Sequence, residues 1–205
     1  MNLNSKIVSL VVGFCTLGAL PLSSQNAGMR VCSTIGGVYM TSGDYNKGTL
    51  SLSFDCKSSG KIKLHHFFAG RHVDIIADGK KTKLNKDSIF GYHNCKNEDY
   101  RFYKTYDEEF LIRENKGIVI YSSYVRVPSS NMKENKVEMK YFFSKTINSE
   151  IMPLTILNLK RAFPDNSKFH DMLEMEFGGG ESLVAYSVTD KMYKINVLFN
   201  QSNLN

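Results

Sequence analysis

The chain has 205 residues, and its 26 lysines and arginines against 20 acidic residues give a net charge of +6. This is the size of one domain with a core of its own, and 13 phenylalanines and 11 tyrosines without a tryptophan favour a core built on sheet. A mildly basic balance permits an acidic partner without requiring one. No linker, internal repeat or low-complexity tract divides the chain, which excludes an obvious multi-domain architecture.

The N-terminus has the three parts of a cleavable secretory signal. Lys6 supplies the basic part, residues 7–20 are almost all apolar or small, and a polar run follows. The apolar stretch is about 14 residues long, which is shorter than the roughly 20 that a membrane-spanning helix requires. We therefore expect cleavage between Ser24 and Ala27.

A signal peptide at residues 1–27 predicts that the protein is exported to the periplasm, the cell surface or the medium. Cys15 follows the bulky Phe14 inside the apolar stretch, so the small residue that a lipoprotein signal places before its cysteine is missing. No second apolar run approaches membrane length. The mature chain, residues 28–205, is therefore expected to form a single domain without a transmembrane segment.

Three cysteines remain after the loss of Cys15, namely Cys32, Cys56 and Cys95. In an oxidising compartment an odd number predicts one disulfide and one leftover thiol. Cys56 and Cys95 each end or follow a strand-like segment, whereas Cys32 lies in the N-terminal lead, so we predict a Cys56–Cys95 disulfide. A zinc site is the alternative, but no Cys-x-x-Cys or His-x-x-x-His spacing supports it.

The first strand pattern covers residues 49–56 and 61–68. Both segments alternate apolar with polar side chains, as half-buried strands do. Ser58, Ser59 and Gly60 lie between them and favour a turn. These two segments predict a β-hairpin.

A second hairpin is predicted for residues 73–77 and 80–84. The dipeptide between them is Asp78-Gly79. A type I′ turn needs positive φ at both central positions, and Asp-Gly is a preferred pair there.

Further short strands follow, until a polar loop at residues 128–136 precedes an alternating segment. Many short strands at close spacing are typical of an antiparallel β sandwich or a partly closed barrel, here over about residues 36–145. The predicted strands cover 88–92, 100–104, 110–113, 117–124 and 137–143.

After Ile151 the apolar period changes from two to about 3.6, which predicts two or three helices between about 153 and 199. The first is predicted to open at Pro153 and to stop at Pro164. The second spans 167–177 and ends at three glycines, and the third spans 182–199. Strands first and helices last indicate an α+β fold in which the helices pack on the sheet.

The most uneven charge lies between Lys57 and Lys86, with eight cations against two anions. Four of the lysines occupy outward positions of the two predicted hairpins, where they would form a basic sheet face for phosphate, sulfate or carboxylate groups. A solvated face that keeps sheet edges apart is the alternative. Nucleic acid is not expected, because no aromatic side chains interleave with these cations. The four are Lys61, Lys63, Lys81 and Lys83.

Histidines offer the other candidate chemistry. His65, His72 and Asp74 would converge if neighbouring strands brought them together, giving a metal or acid–base site. Ordinary hydrogen-bonded histidines are the alternative. The chain has no Gly-x-Ser-x-Gly elbow and no local signature of an activated cysteine, so no catalytic residue is predicted.

Several segments along the mature chain form a recurring set. They are Asp78-Gly79-Lys80-Lys81, Lys86 to Tyr92 with Cys95, Tyr100-Arg101-Phe102-Tyr103, Tyr141 to Lys145, Pro153-Leu154-Thr155, Asn158-Leu159-Lys160, Ala162 to His170 and Lys191-Met192-Tyr193-Lys194. This set resembles a pattern in uncharacterised exported bacterial proteins. The resemblance covers most of the mature chain and implies export, but the group has no established activity and assigns no site.

Arg101 stands between Tyr100 and Phe102, so its side chain must point to the opposite face and find a carboxylate or a ligand there. Together with the four lysines, Arg101 completes a candidate surface for an anionic glycan or lipid of the bacterial cell envelope, or for another envelope protein. The sequence thus favours a non-enzymatic exported binding or interaction module without a cofactor. The competing hypothesis is a hydrolase or metal-dependent enzyme that uses His65, His72 and Asp74.

Overall fold

A computed structural model describes residues 33–64, 70–103, 108–127 and 136–204. The predicted signal peptide, Cys32, His65 and residues 128–135 of the predicted loop lie outside these ranges. Within the ranges, no helix combines the length and the apolar character that crossing a membrane would demand.

Along the described chain, most strands precede most helices. The strands are β1 Ile35–Tyr39, β2 Leu52–Asp55, β3 Lys61–Leu64, β4 His72–Ala77, β5 Lys80–Asn85, β6 Gly91–His93, β7 Asp99–Tyr103, β8 Glu108–Asn115, β9 Val119–Val127, β10 Lys136–Ser144, β11 Met152–Pro153, β12 Tyr186–Ser187 and β13 Met192–Tyr193. The helices are α1 Ser42–Lys47, α2 Ile156–Ala162, α3 Ser167–Phe177 and α4 Lys194–Ser202, with a short 3₁₀ helix at Lys86–Ser88.

The strands form one large and two small antiparallel sheets. The large sheet has eight strands in the order β11-β10-β9-β8-β7-β6-β1-β2. The order β3-β4-β5 makes a three-stranded sheet, and β12 pairs with β13. The predicted α+β class is confirmed.

One face of the large sheet carries two different layers. At the end formed by β1, β2, β6 and β7, the three-stranded sheet packs against it and produces a sandwich. At the β9–β10 end, helices α2, α3 and α4 cover the same face. The sandwich core contains Val38, Phe54, Val73, Ile75, Ile89, Tyr92 and Phe102. The helical core contains Ile118, Ile120, Phe143, Leu159, Ala162, Phe169, Leu173, Phe177 and Ile195.

The opposite face of the large sheet has its own core, formed by Phe110, Val119, Tyr121, Phe142, Ile147 and Ile151. Ile147 and Ile151 come from the segment that follows β10, so this segment folds back over the sheet. Tyr45 of α1 packs at the margin of the same core. The middle of the sheet is therefore buried on both sides.

The Asp-Gly hairpin has the predicted form. Strands β4 and β5 pair in register from His72 opposite Asn85 to Ala77 opposite Lys80. Asp78 has φ 49° and Gly79 has φ 75°, which are the two positive values that a type I′ turn requires.

The first predicted hairpin is wrong. Strand β2 pairs with β1 in the large sheet, whereas β3 pairs with β4 in the small one. Glycines on β1 explain the closeness of β2, because a Cβ at Gly37 would lie 2.3 Å from the carbonyl oxygen of Leu52. The turn after β2 therefore carries the chain from one sheet to the other.

Two of the three predicted helices begin later than expected, and one has the expected bounds. Helix α3 has the predicted bounds and ends at Gly178. Helix α2 begins at Ile156 instead of Pro153, because the Thr155 side chain accepts a hydrogen bond from the Asn158 backbone and caps the helix there. Pro153 belongs to β11.

The third predicted helix is wrong over its first two thirds. Residues 186–193 form the β12–β13 hairpin, and α4 starts only at Lys194. Ser187 donates its hydroxyl to Asp190 and accepts a hydrogen bond from the Asp190 backbone, and Lys191 takes φ 52°. These local hydrogen bonds stabilise a turn at this position, and the turn forms in place of the predicted helix.

Candidate functional site

The four predicted lysines lie on one face of the three-stranded sheet. Lys61 of β3 and Lys81 of β5 both stand opposite Ile76 of the central strand β4. Lys63 and Lys83 both stand opposite Asp74. Directly opposite residues of an antiparallel sheet point to the same side, so the four side chains share a surface. We call Lys61, Lys63, Lys81 and Lys83 the lysine face.

Burial of the other side of this small sheet holds the lysines outward. Val73 and Ile75 of β4 are almost completely buried against the large sheet, and Ile62 and Leu84 pack beside them. Because side chains alternate along a strand, burying these residues turns the neighbouring lysines to the surface. The period-two pattern of the sequence therefore positions the lysine face.

Asp74 lies at the centre of the lysine face. Its side chain is buried, with only 2% of the residue exposed, and the Nζ of Lys81 lies 2.7 Å from its Oδ2. Within the part of the chain that the structure describes, Lys61, Lys63 and Lys83 form no ion pair. The face thus carries four lysines and one carboxylate, which leaves an excess of positive charge.

The spacing of the lysine face follows from sheet geometry. Neighbouring strands lie about 4.8 Å apart and alternate residues about 7 Å apart along a strand, so the four Cα positions form a rectangle of roughly 7 by 10 Å. Each ammonium group is a compact point charge on a flexible stem. Such a grid suits ligands that carry several anionic groups better than a single small anion.

Arg101 does not belong to the lysine face. It lies on β7 of the large sheet with 6% of its surface exposed, and it donates to the Tyr121 hydroxyl and to the Ser149 carbonyl, each at 2.9 Å. Its guanidinium also lies 5.3 Å from the centre of the Tyr103 ring and 5.8 Å from that of Phe90. In the described ranges it forms no ion pair with a carboxylate. Its contacts fasten the segment after β10 to the sheet.

The predicted metal or acid–base site is only partly visible. His72 and Asp74 are two positions apart on β4 and share the outer face of the small sheet, whereas His65 lies outside the described residues. The described residues contain no group of three or more histidine, cysteine or acidic side chains placed to hold a metal ion. Lys81 engages the Asp74 carboxylate. The enzyme hypothesis stays a prediction.

A different histidine and aspartate do come together on the large sheet. The Nδ1 of His93 lies 2.8 Å from Asp99 Oδ1, and the Tyr39 hydroxyl donates to the same oxygen at 3.0 Å. Burial, followed by the charge of Asp99, raises the pKa of Tyr39 above its ordinary value. The turn between β6 and β7 places His93 opposite Asp99. Predicting β6 and β7 as a hairpin would therefore have indicated this pair. No local signal in the sequence connects Tyr39 to the two residues.

The predicted disulfide is confirmed. Cys56 and Cys95 are joined across 39 residues of sequence, with their Cα atoms 5.6 Å apart. Cys56 follows β2 and Cys95 follows β6, and these two strands flank β1. The bond therefore ties together both neighbours of β1 beneath the small sheet.

Comparison with known proteins assigns no relatives. No family model matches the chain, and neither the curated proteins nor the solved structures contain a significant match. A functional proposal therefore rests on the sequence and on the geometry of the described residues.

Proposed function

We propose that this protein is an exported, non-enzymatic binding module of the bacterial cell envelope, and that its lysine face contacts anionic groups of an envelope glycan or lipid. The observation that carries the proposal is the register of the small sheet, which puts four lysines on the same face as the single carboxylate of Asp74. Because Asp74 pairs with Lys81, the net positive charge of this face comes from Lys61, Lys63 and Lys83.

The chemistry of this surface favours binding to charge density. Lysine ammonium groups form rotatable hydrogen bonds and lack the rigid fork of arginine, so they do not select one ligand geometry. Exposed charges are also screened by salt. The affinity should therefore be modest, tolerant of the detailed structure of the ligand, and strongly dependent on ionic strength.

Two observations support export. The N-terminal sequence has the pattern of a secretory signal. A disulfide between Cys56 and Cys95 suits an oxidising compartment, where such bonds form and persist. Phosphate, sulfate and carboxylate groups are the anions that a face of this kind would meet on envelope glycans and lipids.

Binding measurements with two probes test the proposal. Heparin represents a sulfated glycan, and vesicles that contain lipid A represent a phosphorylated lipid. Each lysine near an anionic lipid surface contributes about 1 kcal/mol, so replacing three of them should weaken vesicle binding about 100-fold at low salt. The test variant is Lys61→Gln, Lys63→Gln and Lys83→Gln, which leaves the Lys81–Asp74 pair intact.

The matched control removes the same charge elsewhere. Lys47, Lys96 and Lys191 are exposed and lie outside the small sheet. Changing these three to glutamine should alter affinity by less than about threefold, since distant exposed charges are screened. If the unchanged protein binds neither probe at low salt, or if both triple variants weaken binding equally, the proposal is wrong.

A further inference from the structure

Strand β10 has an edge that is paired over only part of its length. On one side, all nine residues from Lys136 to Ser144 pair with β9. On the other side, β11 pairs only with Phe142 and Phe143. Within the described ranges, no strand lies beside the stretch from Lys136 to Lys140 on that second side.

The start of helix α2 explains why β11 is so short. The Leu154 backbone still donates to the Tyr141 carbonyl at 3.0 Å. Thr155 then caps α2, and the chain leaves the sheet at that point. The rest of the β10 edge thus remains beyond the reach of this segment.

The direction of the free backbone groups follows from the Leu154 hydrogen bond. Because the Tyr141 carbonyl points away from β9, the N–H and C=O groups of Met139 and Val137 point the same way. Those of Lys136, Glu138 and Lys140 point towards β9. Val137 and Met139 therefore present two donors and two acceptors in line with β11, and we call these groups the open edge.

A mainly apolar surface cavity of about 410 Å³ adjoins the open edge. Its walls include Met139, Tyr141, Leu154, Leu183 and Val184. The cavity lies where the side chain of an added strand would fall, because Met139 and Tyr141 belong to β10 while Leu154 follows β11.

Exposed apolar side chains extend from this cavity along β10. Val137 and Met139 keep 56% and 42% of their surface exposed, and Tyr124, opposite Met139 on β9, keeps 72%. Charged side chains usually protect an edge strand from pairing with another chain. This face of the β9–β10 pair combines apolar side chains with cations, since the exposed Arg126 lies opposite Val137 and Arg113 donates to the Met139 sulfur.

Charge on the other face of β10 specifies the partner further. Glu138 lies 3.2 Å from the Nζ of Lys136 and 2.7 Å from that of Lys140. Two cations with one anion leave positive charge beside the edge. A second β10 would carry the same excess, whereas a strand with an acidic side chain on this face would complement it.

We propose that the open edge binds an extended, acidic segment of a partner protein as an added β-strand, with an apolar side chain in the cavity. Backbone hydrogen bonds to Val137 and Met139 hold the segment, while alternate side chains are recognised on the two faces, which is the usual division in β-strand addition. This surface is separate from the lysine face and does not depend on it.

Selection from a random library of short linear peptides, carried out with the unchanged full chain, tests this proposal. Enriched peptides should alternate apolar with acidic residues. Their affinities are then measured by fluorescence anisotropy for the unchanged chain and for Val137→Pro, which removes one outward N–H without disturbing the bonds to β9. Loss of that hydrogen bond and of close strand contact should weaken binding at least about tenfold.

Two further variants separate recognition from folding. Val137→Thr keeps the N–H and should bind within about twofold of the unchanged chain. Met139→Ser removes part of the cavity wall and should weaken binding about fivefold. The triple glutamine variant of the lysine face should bind the peptides normally, which distinguishes this site from the proposed function.

Three outcomes would overturn the inference. The library yields no peptide that binds at about 100 μM; the enriched peptides bind Val137→Pro as tightly as the unchanged chain; or the unchanged chain forms a dimer that Val137→Pro abolishes. The last result would assign the open edge to a second copy.

Discussion

The two layers on one face of the large sheet are stabilised in different ways. The sandwich end is a small sheet whose inner side chains pack on β1, β2, β6 and β7, beneath which the Cys56–Cys95 bond ties the strands together. The helical end has no disulfide among its described residues and has a larger apolar core. Its helices are also joined to the sheet by buried polar contacts.

The polar connection at the helical end centres on Glu114. A β-bulge after Ile112 brings Glu114 opposite Ile120, on the face that carries the helices. Its carboxylate accepts from Asn196 Nδ2 at 2.6 Å and from the Tyr193 backbone, at the start of α4. Asn196 in turn bonds both backbone groups of Ile118.

The two ends should therefore differ in which substitutions they tolerate. On the outer side of the small sheet, Lys61, Lys63 and Lys83 are exposed and form no ion pair within the described residues, so their charges can serve binding. At the helical end, polar side chains are part of the interior, and removing one leaves its partners unsatisfied.

Removing the disulfide should have the largest effect. For a loop of 39 residues, loss of the cross-link through Cys56→Ala and Cys95→Ala should lower the free energy of unfolding by about 4 kcal/mol. Urea denaturation followed by circular dichroism measures this. A reducing agent should destabilise the unchanged protein similarly and leave the double variant unaffected, and equal effects on both would contradict the assignment.

Removing the Glu114 carboxylate should have the next largest effect. Glu114→Ala leaves Asn196 Nδ2 and the Tyr193 N–H without this acceptor, which should cost about 2 to 3 kcal/mol in unfolding free energy. Glu114→Gln keeps one acceptor oxygen and should lose about half as much. Denaturation of both variants checks this, and an alanine variant as stable as the glutamine variant would exclude the polar connection.

Replacing Asp74 should increase the affinity of the lysine face for anions. Asp74→Asn removes the one carboxylate from this surface. A unit charge about 6 Å away is worth about 0.7 kcal/mol even in water, and Asp74 is buried, so heparin affinity should rise at least about threefold at low salt. The gain should disappear at high salt. Glu181→Gln changes the net charge equally at the helical end and should leave affinity unchanged, so an equal gain there would indicate a net-charge effect.

The smallest effect at neutral pH concerns two half-buried tyrosines. Burial raises the pKa of Tyr45 and of Tyr100 to about 12, above the ordinary value of 10.0. The folded state therefore favours the protonated phenols, a stabilisation that is complete below pH 10 and lost as the pH rises towards 12. Tyr45→Phe and Tyr100→Phe should flatten the fall in unfolding free energy over this window, and an unchanged slope would contradict the burial argument.

Local sequence patterns were sufficient to predict much of the structure at the sandwich end. The Asp78-Gly79 pair predicts its turn because both residues tolerate positive φ, and the alternation in β3 and β5 predicts which lysines point outward. The disulfide followed from the places of Cys56 and Cys95 after strand-like segments.

Other features depend on contacts that no local pattern encodes. The pairing of β2 with β1 depends on the close approach that Gly37 permits, and the side chain of Arg101 is satisfied by Tyr121 from two strands away. The β12–β13 hairpin replaced a helix because the Ser187–Asp190 hydrogen bonds outweighed a suitable apolar period. Glu114 could not be placed without knowledge of the bulge.

Mapping of the bound surface by NMR shows directly whether the lysine face binds anionic groups. Backbone amide shifts of the unchanged protein are recorded while a sulfated heparin oligosaccharide is added at low salt. We predict that the largest shifts occur in β3, β4 and β5, around Lys61, Lys63 and Lys83, and that they vanish at high salt. Shifts concentrated on the helical end, or none at all, would show that the lysine face is not the binding surface.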